Sequence, residues 1–125
     1  MKTFKVMILS LILFVSVMLL NSYAGTEKYG QEISNRKITE VKDILTDPKV
    51  FEGKLVTIEG KIDNECPAGC WFYVKVGSEN LTIYVDTGKS GFAIPQKTGR
   101  MILVEGNVVI KKTGPMIQAK GVEIK

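Results

Sequence analysis

Histidine is absent from all 125 residues. That excludes Ser-His-Asp and Cys-His catalysis, His-ligated zinc or haem, and a His proton shuttle. Tryptophan occurs once, at Trp71, and arginine twice, at Arg36 and Arg100. Nucleic-acid proteins concentrate Lys and Arg on one face to neutralise phosphates, whereas no basic run here exceeds Lys111-Lys112. Nucleic acid is therefore a disfavoured partner. There is no internal repeat, no low-complexity tract and no cofactor motif, and the length accommodates one domain.

What is present begins with a targeting pattern. Met1-Lys2-Thr3-Phe4-Lys5 is short and basic, and Val6 to Leu20 is apolar except for Ser10 and Ser16. This run suits the apolar part of a signal peptide and is short for a membrane span of roughly 20 residues. Ser22-Tyr23-Ala24 supplies small residues around a cleavage point, which predicts a signal peptide over 1–24 and a mature chain starting at Gly25. An uncleaved anchor is the competing reading. No cysteine follows the apolar run, so the pattern is not that of a lipoprotein. Cleavage removes Lys2 and Lys5 and no acid, lowering the net charge from +4 to +2. The expected location is periplasmic or secreted, with no membrane span left in the mature chain.

Residues 25–38 form a polar leader, either an edge strand or a mobile arm. Ile38, Val41, Ile44 and Leu45 then make one helical stripe, with Thr39 as cap, Glu40 at the positive N-terminus and Asp47-Pro48 as the stop. Phe51 and Gly53 fall in the loop beyond. From there the apolar period becomes two. Val56, Ile58, Gly60 and Ile62 share one face of the first strand. Trp71 to Val76 and Leu81 to Val85 form a hairpin about Gly77-Ser78-Glu79-Asn80, with Phe72, Val74 and Val76 inward. Met101 to Ile110 is the fourth strand, with Ile102, Val104, Gly106 and Val108 on one face, and Met116 to Ile124 is the fifth. Gly60 and Gly106 lie inside the two longest strands, where glycine marks a bulge or a sharp coil. The pattern predicts a mainly β fold: a five-stranded OB-type barrel over 39–125 with one short N-terminal helix. A five-stranded antiparallel meander capped by a helix is the alternative.

Cys66-Pro67-Ala68-Gly69-Cys70 is the most informative stretch. Two cysteines in an exported chain most often form a disulfide, and Pro67 and Gly69 let so short a loop curl. Closing it would contribute on the order of 2 kcal/mol. Two alternatives stay open. One is thiol redox work, although the three-residue spacing leading into a strand differs from the C-x-x-C at a helix start that lowers a thiol pKa. The other is a soft metal on Cys66 and Cys70, with Met101 or Met116 as a further Cu(I) ligand, or Asp63, Glu65 or Asp86 completing zinc.

Trp71 and Tyr73 share a strand face that Tyr84 joins across the hairpin. The second and third strands of an OB barrel are its usual binding surface, where aromatics stack on sugars or bases and Lys75 could hold an anion. The plainer reading is that Trp71 packs on the cysteine loop and Tyr73 covers the barrel wall. Asp63, Glu65 and Asp86 could form a carboxylate pair of the glycosidase kind, but spacing alone establishes none. The chain is not expected to be an enzyme.

Tyr29-Gly30, the helix end at Asp47-Pro48, Phe51-Glu52-Gly53-Lys54, Val56-x-Ile58-x-Gly60, Gly69-Cys70-Trp71, Phe92-x-Ile94-Pro95, Gly99 and Val104-Glu105-Gly106 occur in that order. This arrangement resembles an uncharacterised bacterial family of small exported proteins, a domain of unknown function marked by G-C-W and G-K-x-V-x-x-x-G. The resemblance implies an exported OB-like domain whose paired cysteines map onto Cys66 and Cys70; it supplies no activity or ligand. The resulting expectation is an exported binding or accessory module with a Cys66–Cys70 disulfide. Its partner would be a small molecule, a glycan or an envelope protein. The alternatives are a metal or thiol-redox accessory protein and, third, a barrel face for single-stranded nucleic acid or oligosaccharide.

Overall fold

The computed structural model describes residues 25–125, so the signal-peptide segment lies outside the described residues. Among the described residues, no helix is long and apolar enough to cross a membrane. The described residues form six strands: β1 (Glu27–Gly30), β2 (Leu55–Glu65), β3 (Trp71–Val76), β4 (Leu81–Asp86), β5 (Met101–Lys111) and β6 (Gly114–Ile124). Strands β2 to β6 close on themselves in the order β6-β4-β3-β2-β5, with β5 returning to β6. Every contact around this ring is antiparallel except β4 against β6, which run parallel through Tyr84–Met116, Val85–Ile117 and Asp86–Gln118. A closed five-stranded mixed barrel of OB type is thus the fold. The parallel pair separates it from the antiparallel meander.

Closure follows from the period-2 pattern. Ile58, Ile62, Phe72, Val74, Ile83, Val85, Ile102, Val104, Val108 and Ile117 all point inward and are essentially inaccessible. Burying side chains of this size contributes roughly 1.5–3 kcal/mol each, which is the main term holding the ring shut. Val76 is only half-buried and packs at the edge of this cluster.

The two strand glycines behave differently. Gly106 sits at a register shift against β6, between Glu105 and Gly106, as a bulge requires. Gly60 pairs regularly with Ile102, and the irregularity of β2 falls later, between Ile62 and Glu65. What Gly60 provides is close approach: a Cβ there would lie 2.6 Å from the Lys75 carbonyl oxygen and from Val74 Cγ1.

The helical segment departs from expectation at both ends. Helix α1 covers only Val41–Thr46, preceded by Glu40, whose side chain makes no capping bond. Thr39 does not cap it. Ile38 forms a parallel bridge with Thr57, and the Thr39 N–H donates to the Thr57 carbonyl at 2.7 Å, so the chain stays extended there. Ile38 consequently leaves the helical stripe and is 40% exposed. Pro48 ends α1 but opens a second single turn, α2 (Pro48–Phe51), since its missing N–H and fixed φ suit a first helical position. Phe51 therefore packs on the core from a helical turn, not from a loop.

The leader is tied down along much of its length. β1 extends the sheet along residues 121–124 of β6. Beyond it the Gln31 N–H donates to Lys120, Ile33 is buried, and the buried Glu105 carboxylate accepts from the Asn35 N–H at 2.9 Å and from the Ser34 N–H and hydroxyl. Arg36 pairs with Glu123 at 2.6 Å.

Candidate functional site: an aromatic face beside a cysteine loop

Alternation along β3 sends Phe72 and Val74 into the core and Trp71 and Tyr73 outward. Tyr73 stands directly opposite Tyr84 of β4, and Trp71 opposite Asp86. The three rings contact one another: Trp71 stacks on Tyr84 at 5.9 Å and 24°, Tyr73 meets Tyr84 edge-on at 5.4 Å, and Trp71 meets Tyr73 edge-on at 6.1 Å. All three are half-buried. A cross-strand cluster of this kind stabilises the hairpin and leaves ring faces open to a partner. Burial pushes the Tyr84 hydroxyl up, aided by the charge of Asp86, so it stays a neutral donor and acceptor.

Tyr73 and Tyr84 also line a groove of about 490 Å³, shared with Leu45 of α1 and with Lys111, Thr113 and Pro115 at the β5–β6 turn. In barrel order this turn joins strands four and five, and the cysteine loop joins strands one and two. These are the two loops that flank the ligand face of an OB barrel. Lys111, Thr113 and Pro115 did not figure among the sequence-based candidates. Lys111-Lys112 was visible as a basic pair, but only closure of the barrel carries Lys111, with Thr113 and Pro115, to the aromatic face. Lys75 continues the outward row of β3 yet lines a separate groove, with Glu59, Lys61 and Met101.

The cysteine loop is anchored mainly at its C-terminal end. The Gly69 carbonyl accepts from the buried Thr87 hydroxyl at 2.9 Å and from the Ile94 N–H at 3.1 Å. The Cys70 carbonyl accepts from the Thr87 and Gly88 N–H groups. Gly69 has φ +76°, and a Cβ there would lie 2.0 Å from the Ile94 carbonyl oxygen, so only glycine fits. At the other end the Cys66 N–H donates to the Trp71 carbonyl, and the Gly69 N–H to that of Cys66. Both cysteines are half-buried thiols, with the Cys70 Sγ donating to the Cys66 Sγ at 3.1 Å. A disulfide sulfur pair lies at about 2.05 Å, so the structure shows the pair adjacent and unbonded.

Among the described residues, no group of three or more His, Cys, Asp and Glu side chains converges on a metal-sized site. Met101 lies opposite Lys61, well down β2 from the loop, and Met116 is buried opposite Tyr84. The carboxylates serve separate roles. Glu65 accepts from the Lys97 N–H and the Thr98 hydroxyl, Asp86 accepts from the Lys89 N–H, and Asp63 is exposed. Glu65 and Asp86 stand on strands either side of β3.

The barrel is similar to those of solved structures. The hypothetical protein YgiW from E. coli aligns with a TM-score of 0.52 over 78% of this chain and all of that one, at 20% identity. A likeness at that identity is one of fold. No protein-family model and no curated protein matches the chain.

Proposed function

We propose that this protein is an exported binding module whose ligand lies on the outer face of the β3–β4 hairpin, across Trp71, Tyr73 and Tyr84. The carrying observation is that three mutually contacting aromatics are half-exposed on the strand pair where an OB barrel binds, beside a groove reaching Lys111 and Thr113. Flat ring faces, a neutral phenol and a few hydroxyl and amine groups suit a glycan or another small molecule with one apolar face and several hydroxyls. The signal-like N-terminus supports export, and the resemblance to the uncharacterised exported family agrees with it. In an oxidising compartment the adjacent Cys66 and Cys70 close to a disulfide that fixes one border of the face.

Trp71 is the sole tryptophan, so its emission reports on this face alone. Titration with chitotetraose, as a neutral glycan probe, is expected to change that emission saturably and with little salt dependence. Binding to a single-stranded dT oligonucleotide that weakens steeply with salt would place the protein with nucleic-acid barrels instead. No emission change with a panel of glycans, together with full accessibility of Trp71 to acrylamide, would overturn the binding face.

A further inference from the structure

Stacking on the aromatic face calls on neither sulfur directly, and the arrangement of the two thiols carries a chemistry of its own. Joining the sulfurs requires them to approach by only about 1 Å. The Cys70 side of the loop is held by four hydrogen bonds to Thr87, Gly88 and Ile94, none of which involves a sulfur. Bonding the sulfurs therefore breaks none of the hydrogen bonds that hold this side of the loop. On the Cys66 side, Pro67 and Ala68 are exposed, which leaves an approach to that sulfur.

The two thiols are unlike. Cys70 directs its proton at Cys66, and this, with the backbone N–H groups of Ala68, Cys70 and Gly69, holds the Cys66 thiol below its ordinary range against the opposing effect of burial. The same contact, burial and the neighbouring Cys66 charge push the Cys70 thiol up. The Cys70 contact is the larger influence on Cys66, and the backbone N–H groups of the loop add to it. The three-residue spacing concealed this from the sequence.

We propose that Cys66 and Cys70 form a thiol–disulfide exchange site, in which Cys66 is the attacking sulfur, Cys70 the resolving one, and a disulfide-bearing molecule the co-reactant. Cys66 first loses its thiol proton to solvent; the thiolate attacks one sulfur of R–S–S–R, a Cys66–S–S–R bond forms, and the S–S bond of R–S–S–R breaks to release R–S⁻. Cys70 then gives its proton to R–S⁻ and attacks the Cys66 sulfur, and a second R–S⁻ leaves and takes a proton from solvent. The protein loses two electrons and two protons as one disulfide becomes two R–SH. With a thiol in excess the steps run backwards. R is a small thiol such as glutathione or the reactive cysteine of an oxidoreductase, and the inference holds independently of the ligand on the aromatic face.

The test uses protein purified after expression of the full-length gene and equilibrated in mixtures of reduced and oxidised glutathione, with acid quenching, alkylation and intact mass. A two-thiol transition at millimolar glutathione, reversible without unfolding, is expected. The C70S variant is expected to trap one glutathione on Cys66, and C66S to react at least about tenfold more slowly. A disulfide that resists millimolar thiol in the folded protein would make the bond purely structural. Equal trapping by both variants would abolish the assigned roles, and two thiols protected by a stoichiometric metal would replace exchange with metal binding. An oxidoreductase whose reactive Cys pair is oxidised, mixed with the C70S variant and acid-quenched, distinguishes the two sources of R by leaving a protein–protein mixed disulfide on Cys66.

Discussion

Trp71 and Phe72 are chain neighbours on opposite faces of β3: Trp71 lies against Tyr84 on the outer face, and Phe72 is fully buried in the barrel. Their truncations should separate binding from stability. Phe72→Ala is expected to lower the unfolding free energy by about 3–5 kcal/mol through lost transfer energy and a cavity. Trp71→Ala should cost far less stability while weakening a stacked ligand by about 1–3 kcal/mol. Urea unfolding of both variants checks the first statement. Chitotetraose calorimetry, which needs no tryptophan signal, checks the second. If Trp71→Ala unfolded as readily as Phe72→Ala, the outer cluster would be structural.

Gly69 admits no substitution that keeps the loop as it is. Alanine would meet the Ile94 carbonyl at 2.0 Å in a backbone region that L-residues avoid. Gly69→Ala is therefore expected to cost at least about 1–3 kcal/mol. It should also separate the two sulfurs, because the strain falls within the five-residue loop. Thermal unfolding and the alkylation rate of the thiols would both register it. Unchanged values for both would mean that the loop relaxes freely.

These residues also show how far the chain could be read unaided. The barrel was legible because its inward positions repeat at two residues with hardly a break, from Val56 to Ile62 and from Ile102 to Val108. The outer aromatics were legible for the same reason: Trp71 and Tyr73 must share a face, and Tyr84 follows once the hairpin register is assumed. Lys111, Thr113 and Pro115 were not, since ring closure is a long-range event that no local pattern encodes. Thr39 misled because its N–H is taken by the carbonyl of Thr57, 18 residues along the chain and beside the Ile38–Thr57 bridge, a contact that no local capping pattern encodes. The Cys66 environment was hidden because spacing rules describe helices, and the Cys70 sulfur that faces it is brought there by a tight loop.

Thr87 tests the anchoring of the loop without touching a sulfur. Its hydroxyl is wholly buried and donates to the Gly69 carbonyl, which keeps a second donor in the Ile94 N–H. Thr87→Val should therefore cost only about 1 kcal/mol, with the fold intact. Amide exchange measured by NMR is expected to speed up at Gly69 and Ile94 and not in β5 or β6. A uniform rise in exchange would mean that Thr87 supports the whole barrel.

Glu105 gives the leader an acid-sensitive attachment. Burial alone would raise its pKa, but donors from Asn35 and Ser34 and the charge of Lys120 outweigh burial and hold the folded-state value below the ordinary range. An unfolded carboxylate titrates at about 4.3, so on acidification the unfolded chain takes up this proton first. The contribution is therefore complete above that value and disappears as pH falls through the lower folded-state pKa. Glu105→Gln preserves the shape and leaves one acceptor oxygen without charge. At pH 7 it should be less stable than the wild type by about 1.5–3 kcal/mol, the range for hydrogen bonds to a charged group. That gap should shrink steadily as pH drops below the ordinary carboxylate range. Urea midpoints for both proteins between neutral and strongly acidic pH would show it. A gap independent of pH would mean that the Ser34–Asn35 segment is held by shape and neutral hydrogen bonds.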